Sequence, residues 1–207
     1  PKDHFNEIGL AADAALGLRF WRCWTSQGAT KVLKFVIGDL PEVVEKEIDG
    51  QPLPQGVALP VTVNGRIFPR EDIDIWTFNA KAGETIVCDA AAKRFGSPVN
   101  LVLEVHGPGG RRLTTQKTVR GGDPAHWFKA GVTGVYQVHL RDAKFWGLQN
   151  HVYRLTRKRG PHILHSYPLG ARRGTTVQVE FHGPGLGKHT TAIKIPATAD
   201  ETYVLPI

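Results

Sequence analysis

Alternation of hydrophobic and polar positions dominates the middle of the chain. In residues 61–90, apolar residues recur at every second position in short runs that Gly, Pro and Asn interrupt. A period of two bounded by turn residues predicts half-buried β-strands. Similar runs follow at 99–105, 134–140 and 153–156. Their shared parity predicts a core containing Ile67, Trp76, Phe78, Ile86, Leu101, Leu103, Tyr136, Val138 and Leu155.

Two further stretches refine the position of the core. Residues 111–119 are mostly polar, which predicts a strand at the edge of a sheet. Trp127 and Phe128 follow a predicted Asp-Pro turn, and both aromatic side chains are predicted to anchor the core.

The pattern changes on both sides of this central region. Residues 17–38 alternate around a Gln-Gly turn, and residues 161–187 alternate between Pro- and Gly-rich turns. Residues 41–56 are acidic and contain Pro52 and Pro54, which predict a linker without regular strand pairing. We therefore expect four segments, at residues 1–40, 41–56, 57–157 and 158–207.

Four motifs stand in a fixed order through residues 57–157. They are Gly65-Arg66-Ile67, the run from Asp72 to Phe78 with the form D-x-D-x-W-x-F, Ala82-Gly83-Glu84-Thr85, and the run from Gly134 to Leu140 with the form G-x-Y-x-V-x-L. In this order they resemble the bacterial pre-peptidase C-terminal domain. That resemblance implies a jelly-roll-like β-sandwich attached to secreted bacterial proteins, usually without catalysis of its own.

The flanks are similar to parts of immunoglobulin-like TIG-type domains. Residues 161–187 combine P-x-I, a Pro-Leu-Gly turn, R-G-T-T-V-x-V and a glycine turn, which resembles the opening of such a domain. Residues 17–38 look like its closing strands. The fold expected for the whole chain is thus all-β. Either the two flanks complete each other, or each is completed by sequence that is not present, in which case exposed strand edges favour self-association.

Composition limits the setting of the protein. The chain has 207 residues, 41% of them hydrophobic, and contains no apolar run of about 18 residues that would span a membrane. It begins at Pro1 and has no methionine, so we expect it to be a piece of a longer precursor that is secreted or belongs to the cell envelope. Cys23 and Cys88 are expected to be two unbonded thiols, with a disulfide as the alternative.

The net charge of +7 favours acidic partners, such as an acidic glycan or a protein of the cell envelope. The basic residues occur in short runs at 111–112, 157–159 and 172–173, and the alternative interpretation is that these are solvated turns. No motif for specific nucleic-acid recognition occurs.

Calcium is the cofactor that the resemblance implies. In calcium-binding members of the resembled family, an acidic linker folds onto the D-x-D loop. The corresponding carboxylates here are Glu45, Glu47, Asp49, Asp72 and Asp74, with Gly50 where the family has an acidic residue. Ca²⁺ takes six to eight oxygen ligands, so carboxylates on loops suit it. The alternative is a plain solvated acidic linker.

Two functions of different classes remain open. The first is a noncatalytic structural or adhesion module of a larger secreted protein. The second is an accessory domain that holds glycan or protein substrate for an enzyme elsewhere in the precursor, and an exposed strip of Trp76, Trp127, Phe145 and Trp146 would favour it. Phe145 and Trp146 lie in a polar loop and are the candidate ligand-binding residues. The chain has no hydrolase or Walker motif, so we predict that it is not an enzyme.

Overall fold

The computed structural model describes residues 9–46, 52–118 and 122–198. These residues form strands and two three-residue 3₁₀ helices, at Lys93–Phe95 and Pro108–Gly110, which confirms the predicted all-β fold. In chain order the strands are β1 (Gly17–Trp21), β2 (Trp24–Thr25), β3 (Gly28–Ala29), β4 (Leu33–Ile37), β5 (Glu42–Val44), β6 (Gln55–Gly56), β7 (Val61–Arg66), β8 (Asp74–Ala80), β9 (Thr85–Ala91), β10 (Leu101–His106), β11 (Arg112–Lys117), β12 (Ala125–Lys129), β13 (Gly134–Asp142), β14 (Val152–Arg159), β15 (His165–Tyr167), β16 (Thr176–His182) and β17 (His189–Lys194).

Two five-stranded sheets make up the central sandwich. One has the order β11-β10-β13-β8-β6, and the other has the order β12-β9-β14-β7-β5. The polar strand β11 lies at an edge, as the sequence predicts. All pairings are antiparallel except those of β5 with β7 and of β6 with β8, which are parallel.

The two parallel edge strands correct the prediction that residues 41–56 are a linker without regular strand pairing. Residues 42–44 add an edge to one sheet, and residues 55–56 add an edge to the other. Pro52 and Pro54 lie between these short strands rather than within them, so neither proline interrupts a ladder. An edge strand also needs a partner on one side only. The predicted linker therefore joins the two layers of the sandwich.

The core between the sheets is the one that alternation predicts. All nine predicted core residues are buried, and β8 shows the pattern directly, with alternate residues from Asp74 to Ala80 buried. The rings of Phe78 and Tyr136 stack with centroids 6.0 Å apart, and Phe128 lies 5.5 Å from Tyr136. Aromatic pairs at such distances add to the stability that comes from burial alone.

Trp127 was predicted to anchor the core, and that prediction is wrong. Phe128 is buried, but Trp127 is 44% exposed. Successive residues of a strand point to opposite faces, so the two neighbours cannot both enter one core. Trp127 instead lies on the outer face of edge strand β12, opposite Val87 of β9.

Each flank forms a small sheet of its own. Strands β1 and β4 pair as a hairpin, β2 and β3 pair within its loop, and β15, β16 and β17 form a three-stranded sheet. Among the described residues, no strand of one flank pairs with a strand of the other. The β15–β17 sheet has a core of Val179, Phe181 and Ile193, whereas Leu18 and Phe20 of β1 remain exposed. Their immunoglobulin-like nature stays a prediction.

Neither cysteine forms a disulfide. Cys88 is buried in β9, where burial raises the pKa of its thiol to about 12, and Cys23 is half-buried between β1 and β2. In the described ranges, no helix has the length and apolar character that a membrane-spanning helix needs.

Candidate functional site

Three acidic side chains lie close together next to edge strand β5. Glu45 follows β5, Asp72 lies in the loop between β7 and β8, and Asp74 opens β8. The Glu45 carboxylate hydrogen-bonds with Asp74, and its Oε2 accepts a hydrogen bond from the Arg66 backbone N–H at 2.8 Å. The Asp72 Oδ2 accepts one from the Phe68 N–H at 2.9 Å. We call Glu45, Asp72 and Asp74 the acidic cluster.

Burial makes the acidic cluster electrostatically costly. Asp74 is 5% exposed, and its Oδ2 has no hydrogen-bond partner. Burial raises the pKa of Asp74 to about 11, and the neighbouring Glu45 and Asp72 carboxylates add to this shift. In the absence of a cation, the protonated form of Asp74 therefore prevails at neutral pH.

Tyr153 extends the acidic cluster into the core. Its hydroxyl contacts Asp74 and accepts a hydrogen bond from the Trp76 Nε1–H at 2.9 Å. Burial and the nearby carboxylates raise the pKa of Tyr153 well above its usual value. A side chain at position 65 would collide with the Tyr153 ring and the Glu45 carboxylate, which explains the glycine of the G-x-I motif.

A cavity of about 450 Å³ lies next to this region, between β4 and the sheet that contains β14. Glu45 and Tyr153 both line the cavity, together with Phe35, Val44 and Arg154. The Arg154 guanidinium holds Glu42 at 2.7 Å and 3.0 Å, which fixes β5 against the sandwich. The cavity therefore adjoins the acidic cluster at Glu45.

The structure brings together three of the five predicted calcium ligands. Glu45, Asp72 and Asp74 interact, whereas Glu47 and Asp49 lie outside the described residues. Within residues 9–46, 52–118 and 122–198, no three His, Cys, Asp or Glu side chains already surround one point as metal ligands would. Calcium binding therefore stays a prediction.

The candidate ligand-binding pair lies in a loop that is firmly held. Phe145 is 41% exposed and Trp146 is 51% exposed. Asp142, which sequence reasoning missed, is 2% exposed, and its Oδ1 accepts hydrogen bonds from the Lys144 N–H at 2.8 Å and the Trp146 N–H at 3.2 Å. Its Oδ2 accepts another from the Asn100 N–H at 2.9 Å. A polar residue at an inward position of β13 was the available signal.

The loop of residues 143–151, which we call the aromatic loop, packs against the loop of residues 67–73 between β7 and β8. The Glu71 N–H donates to the Phe145 carbonyl at 2.9 Å, and a side chain at Gly147 would collide with the Pro69 carbonyl. Phe145 has a φ of 57°, a left-handed conformation that side chains rarely adopt. Of the predicted aromatic strip, Trp76 is fully buried and does not belong to any surface.

The alternative interpretation of the basic run at residues 157–159 as a solvated turn is wrong for Arg157, and this residue does not contribute to a positive surface either. Its side chain is fully buried in β14, and the guanidinium nitrogens have no hydrogen-bond partners. The guanidinium carbon lies 5.8 Å from the centre of the Trp76 ring and 5.4 Å from that of Phe78. Burial lowers the pKa of Arg157 to about 10. Its position continues the inward parity of Tyr153 and Leu155, which the sequence interpretation did not extend.

Comparisons with known proteins find similar structures but no similar family. No protein-family model and no curated protein matches the chain. Among solved structures, a pre-peptidase C-terminal domain of a collagenase from Bacillus anthracis is 15% identical, covers 52% of this chain and 97% of that one, and has a TM-score of 0.38. PliG from Aeromonas hydrophila, a periplasmic inhibitor of g-type lysozyme, is 18% identical, covers 52% of this chain and 99% of that one, and also scores 0.38. PliG from Salmonella Typhimurium is 14% identical, covers 57% and 97%, and scores 0.33. Likenesses this distant carry no functional argument.

Proposed function

We propose that this chain is a noncatalytic β-sandwich module of a larger secreted or cell-envelope protein, and that its acidic cluster binds calcium. The observation that carries the proposal is the buried Asp74 carboxyl with an unpartnered Oδ2 beside two further carboxyls. In this function, calcium holds the segment after β5 against the sandwich. The four motifs that resemble the pre-peptidase C-terminal domain support the same assignment.

The chemistry of the acidic cluster suits a hard cation. Calcium takes carboxylate and carbonyl oxygens on loops, and Glu45, Asp72 and Asp74 offer six carboxylate oxygens. A cation next to Asp74 would favour its ionised form and give the orphan Oδ2 a partner. Glu45 connects the ion to β5, while Asp72 and Asp74 connect it to β8. Bound calcium would thus offset two of the three negative charges that the ionised carboxylates place at the junction.

A thermal melt tests calcium binding. We expect the melting temperature to be higher in millimolar calcium than in EGTA, because a ligand that binds the folded state alone stabilises it by about 2.7 kcal/mol at a hundredfold excess over Kd. Asp72→Ala with Asp74→Ala should abolish the difference, and Asp89→Ala, a carboxylate outside the acidic cluster, should retain it. An equal melting temperature in both buffers would show that the acidic cluster does not bind calcium.

The aromatic loop supports a second function, an accessory domain that binds an acidic glycan. Phe145 and Trp146 are exposed side by side, and a cation lies over each ring: the Arg141 guanidinium is 4.5 Å from Phe145, and the Lys144 ammonium is 5.4 Å from Trp146. Apolar ring faces next to positive charge are suited to a polyanionic sugar chain.

Binding of a soluble acidic polysaccharide, followed by tryptophan fluorescence, tests the second function. We expect saturable quenching that Trp146→Ala removes and Trp127→Ala retains, since Trp127 is equally exposed but lies on β12. Equal loss in both variants would indicate nonspecific attraction by the positive surface, and unchanged fluorescence in the wild type would exclude this ligand.

A further inference from the structure

A six-residue pattern, Glu-x-His-Gly-Pro-Gly, occurs twice in the chain. It spans residues 104–109 at the end of β10 and residues 180–185 at the end of β16. In both copies the glutamate and the histidine are two residues apart on a strand, so their side chains lie on the same face. In both, the last glycine of the pattern has a positive φ, 79° at Gly109 and 76° at Gly185.

In both copies a second histidine stacks on the first, although it lies opposite the glutamate in the sandwich copy and opposite the histidine in the other. The His106 ring stacks on that of His139 from the neighbouring strand β13, with centroids 4.1 Å apart. The His182 ring stacks on that of His165 from the neighbouring strand β15, with centroids 4.8 Å apart and planes 8° from parallel. Two different sheets thus hold the same trio of one glutamate and two histidines.

Within each copy, the glutamate oxygen faces the histidine Nε2. The distance from Glu104 Oε2 to His106 Nε2 is 3.4 Å, and the distance from Glu180 Oε2 to His182 Nε2 is 3.6 Å. Two ligand atoms of a tetrahedral zinc ion lie roughly 3.4 Å apart, given metal–ligand bonds of about 2.0–2.1 Å. Imidazole nitrogen and carboxylate oxygen are both zinc ligands, so each pair is spaced to share one ion.

The two copies differ in charge and in access. In the sandwich copy, Glu104 is 15% exposed, and the guanidinium nitrogens of Arg141 and Arg112 lie 3.5 Å and 3.8 Å from its Oε1. These cations oppose a metal ion there. In the β15–β17 sheet, the side chains of Glu180 and His182 are each 50% exposed, and no Lys or Arg of the described ranges forms an ion pair with Glu180.

We propose that Glu180, His182 and His165 form a zinc site on the exposed face of the β15–β17 sheet. Glu180 and His182 already have the spacing of two ligands. His165 is the direct cross-strand partner of His182, and its ring supplies the third ligand by turning from the stacked position about its Cβ–Cγ bond. Water takes the fourth place. The site is independent of the calcium proposal, because none of its residues belongs to the acidic cluster.

The site also has a structural consequence. Two cross-strand ligands tie β15 to β16, and β15 is a three-residue edge strand that pairs on one side only. Zinc that binds the folded sheet alone stabilises this pairing by mass action. The ion would therefore fix the first strand of the C-terminal flank.

Titration of the full chain with zinc, followed through the histidine imidazole resonances in NMR spectra, tests the proposal. We expect the signals of His165 and His182 to shift or broaden first, and calorimetry to show saturable binding. His165→Gln and His182→Gln should each abolish that binding, and Glu180→Gln should weaken it, because a neutral amide oxygen is a poorer zinc ligand than a carboxylate. His189→Gln is the matched control, since His189 is exposed on the same sheet but bonds with Thr191 instead.

Three results would overturn the proposal. Imidazole signals of His165 and His182 that stay unchanged in a large excess of zinc would exclude the site. Changes confined to His106 and His139 would assign the ion to the sandwich copy. An equal loss of binding in His189→Gln and His182→Gln would show that the sheet binds zinc through scattered surface histidines. Circular dichroism of each variant confirms that the exposed substitutions leave the fold intact.

Discussion

The central sandwich and the β1–β4 hairpin have the same kind of sequence but opposite burial. Both alternate apolar and polar residues, yet Trp76 of β8 is fully buried while Phe20 of β1 is 64% exposed. Alternation places the apolar side chains on one face of a strand, and a second layer of structure is needed to bury that face. The sandwich has two five-stranded layers, whereas the hairpin has two strands, and none of its residues in the described ranges belongs to a buried apolar core. Strand formation and core formation are therefore separate consequences of one pattern.

The largest effect that tests this comparison is expected at Trp76. Trp76→Ala should lower the free energy of unfolding by about 3–5 kcal/mol, because it leaves a cavity between the sheets and removes the N–H partner of Tyr153. Urea unfolding followed by far-ultraviolet circular dichroism measures the change. A loss of unfolding free energy below about 1 kcal/mol would show that the two layers do not pack around Trp76.

The next effect concerns Asp74 and pH. Its folded-state pKa of about 11 lies above that of the unfolded chain, so between these values the folded state binds more protons and stability falls as pH rises. In EGTA, the stability of the wild type should fall relative to that of Asp74→Asn from about pH 5 to pH 8, by at most about 1.4 kcal/mol per pH unit. Melting temperatures over this range measure the difference. Parallel curves for the two proteins would show that Asp74 is ionised in the fold, and calcium should flatten the wild-type curve.

A buried cation without hydrogen bonds should be replaceable at little cost. Arg157→Met should leave the free energy of unfolding unchanged or raise it by about 1 kcal/mol, since an apolar side chain of similar length needs no partner. Arg154→Met is the matched control on the same strand, where loss of the Glu42 ion pair should cost about 0–1 kcal/mol. Chemical denaturation compares the two. A loss of several kcal/mol in Arg157→Met would mean that the guanidinium contributes through Trp76 and Phe78.

A substitution in the core of the β15–β17 sheet should destabilise that sheet and leave the sandwich unchanged. Val179→Ala removes part of a small core, and we expect a loss of about 1 kcal/mol that is confined to β15–β17. Amide hydrogen exchange should show faster exchange in residues 176–194 and unchanged protection in the sandwich. Faster exchange across both regions would show that they unfold as one unit.

The smallest effect is expected in the hairpin. Phe20→Ser should change stability by less than about 0.5 kcal/mol, because the side chain is already in contact with solvent. A thermal melt measures it. A loss comparable with that of Trp76→Ala would show that another surface covers Phe20, and sedimentation of the wild type would then identify self-association.

Alternation along the chain is enough to predict the strands and the inward parity of the sandwich. Alternation is a local property, since each residue of a strand points opposite to its neighbour whatever the strand pairs with. For this reason the nine predicted core residues are buried. Asp74 has the same parity as Trp76 and Phe78, so it is buried as well. The resemblance of the acidic linker and the D-x-D loop to a family motif likewise indicated the carboxyls of the acidic cluster.

Which strands are neighbours, and what covers them, becomes visible in the folded protein. Residues 42–44 and 55–56 become parallel edges, Trp127 faces outward, Arg157 lies across the Trp76 ring, and His165 stacks on His182. Each of these facts depends on residues far apart in the chain, and pairing at a distance is set by the combined burial and hydrogen bonding of whole sheets. A period of two contains no information about the partner strand, so the sites built across strands become visible only in the fold.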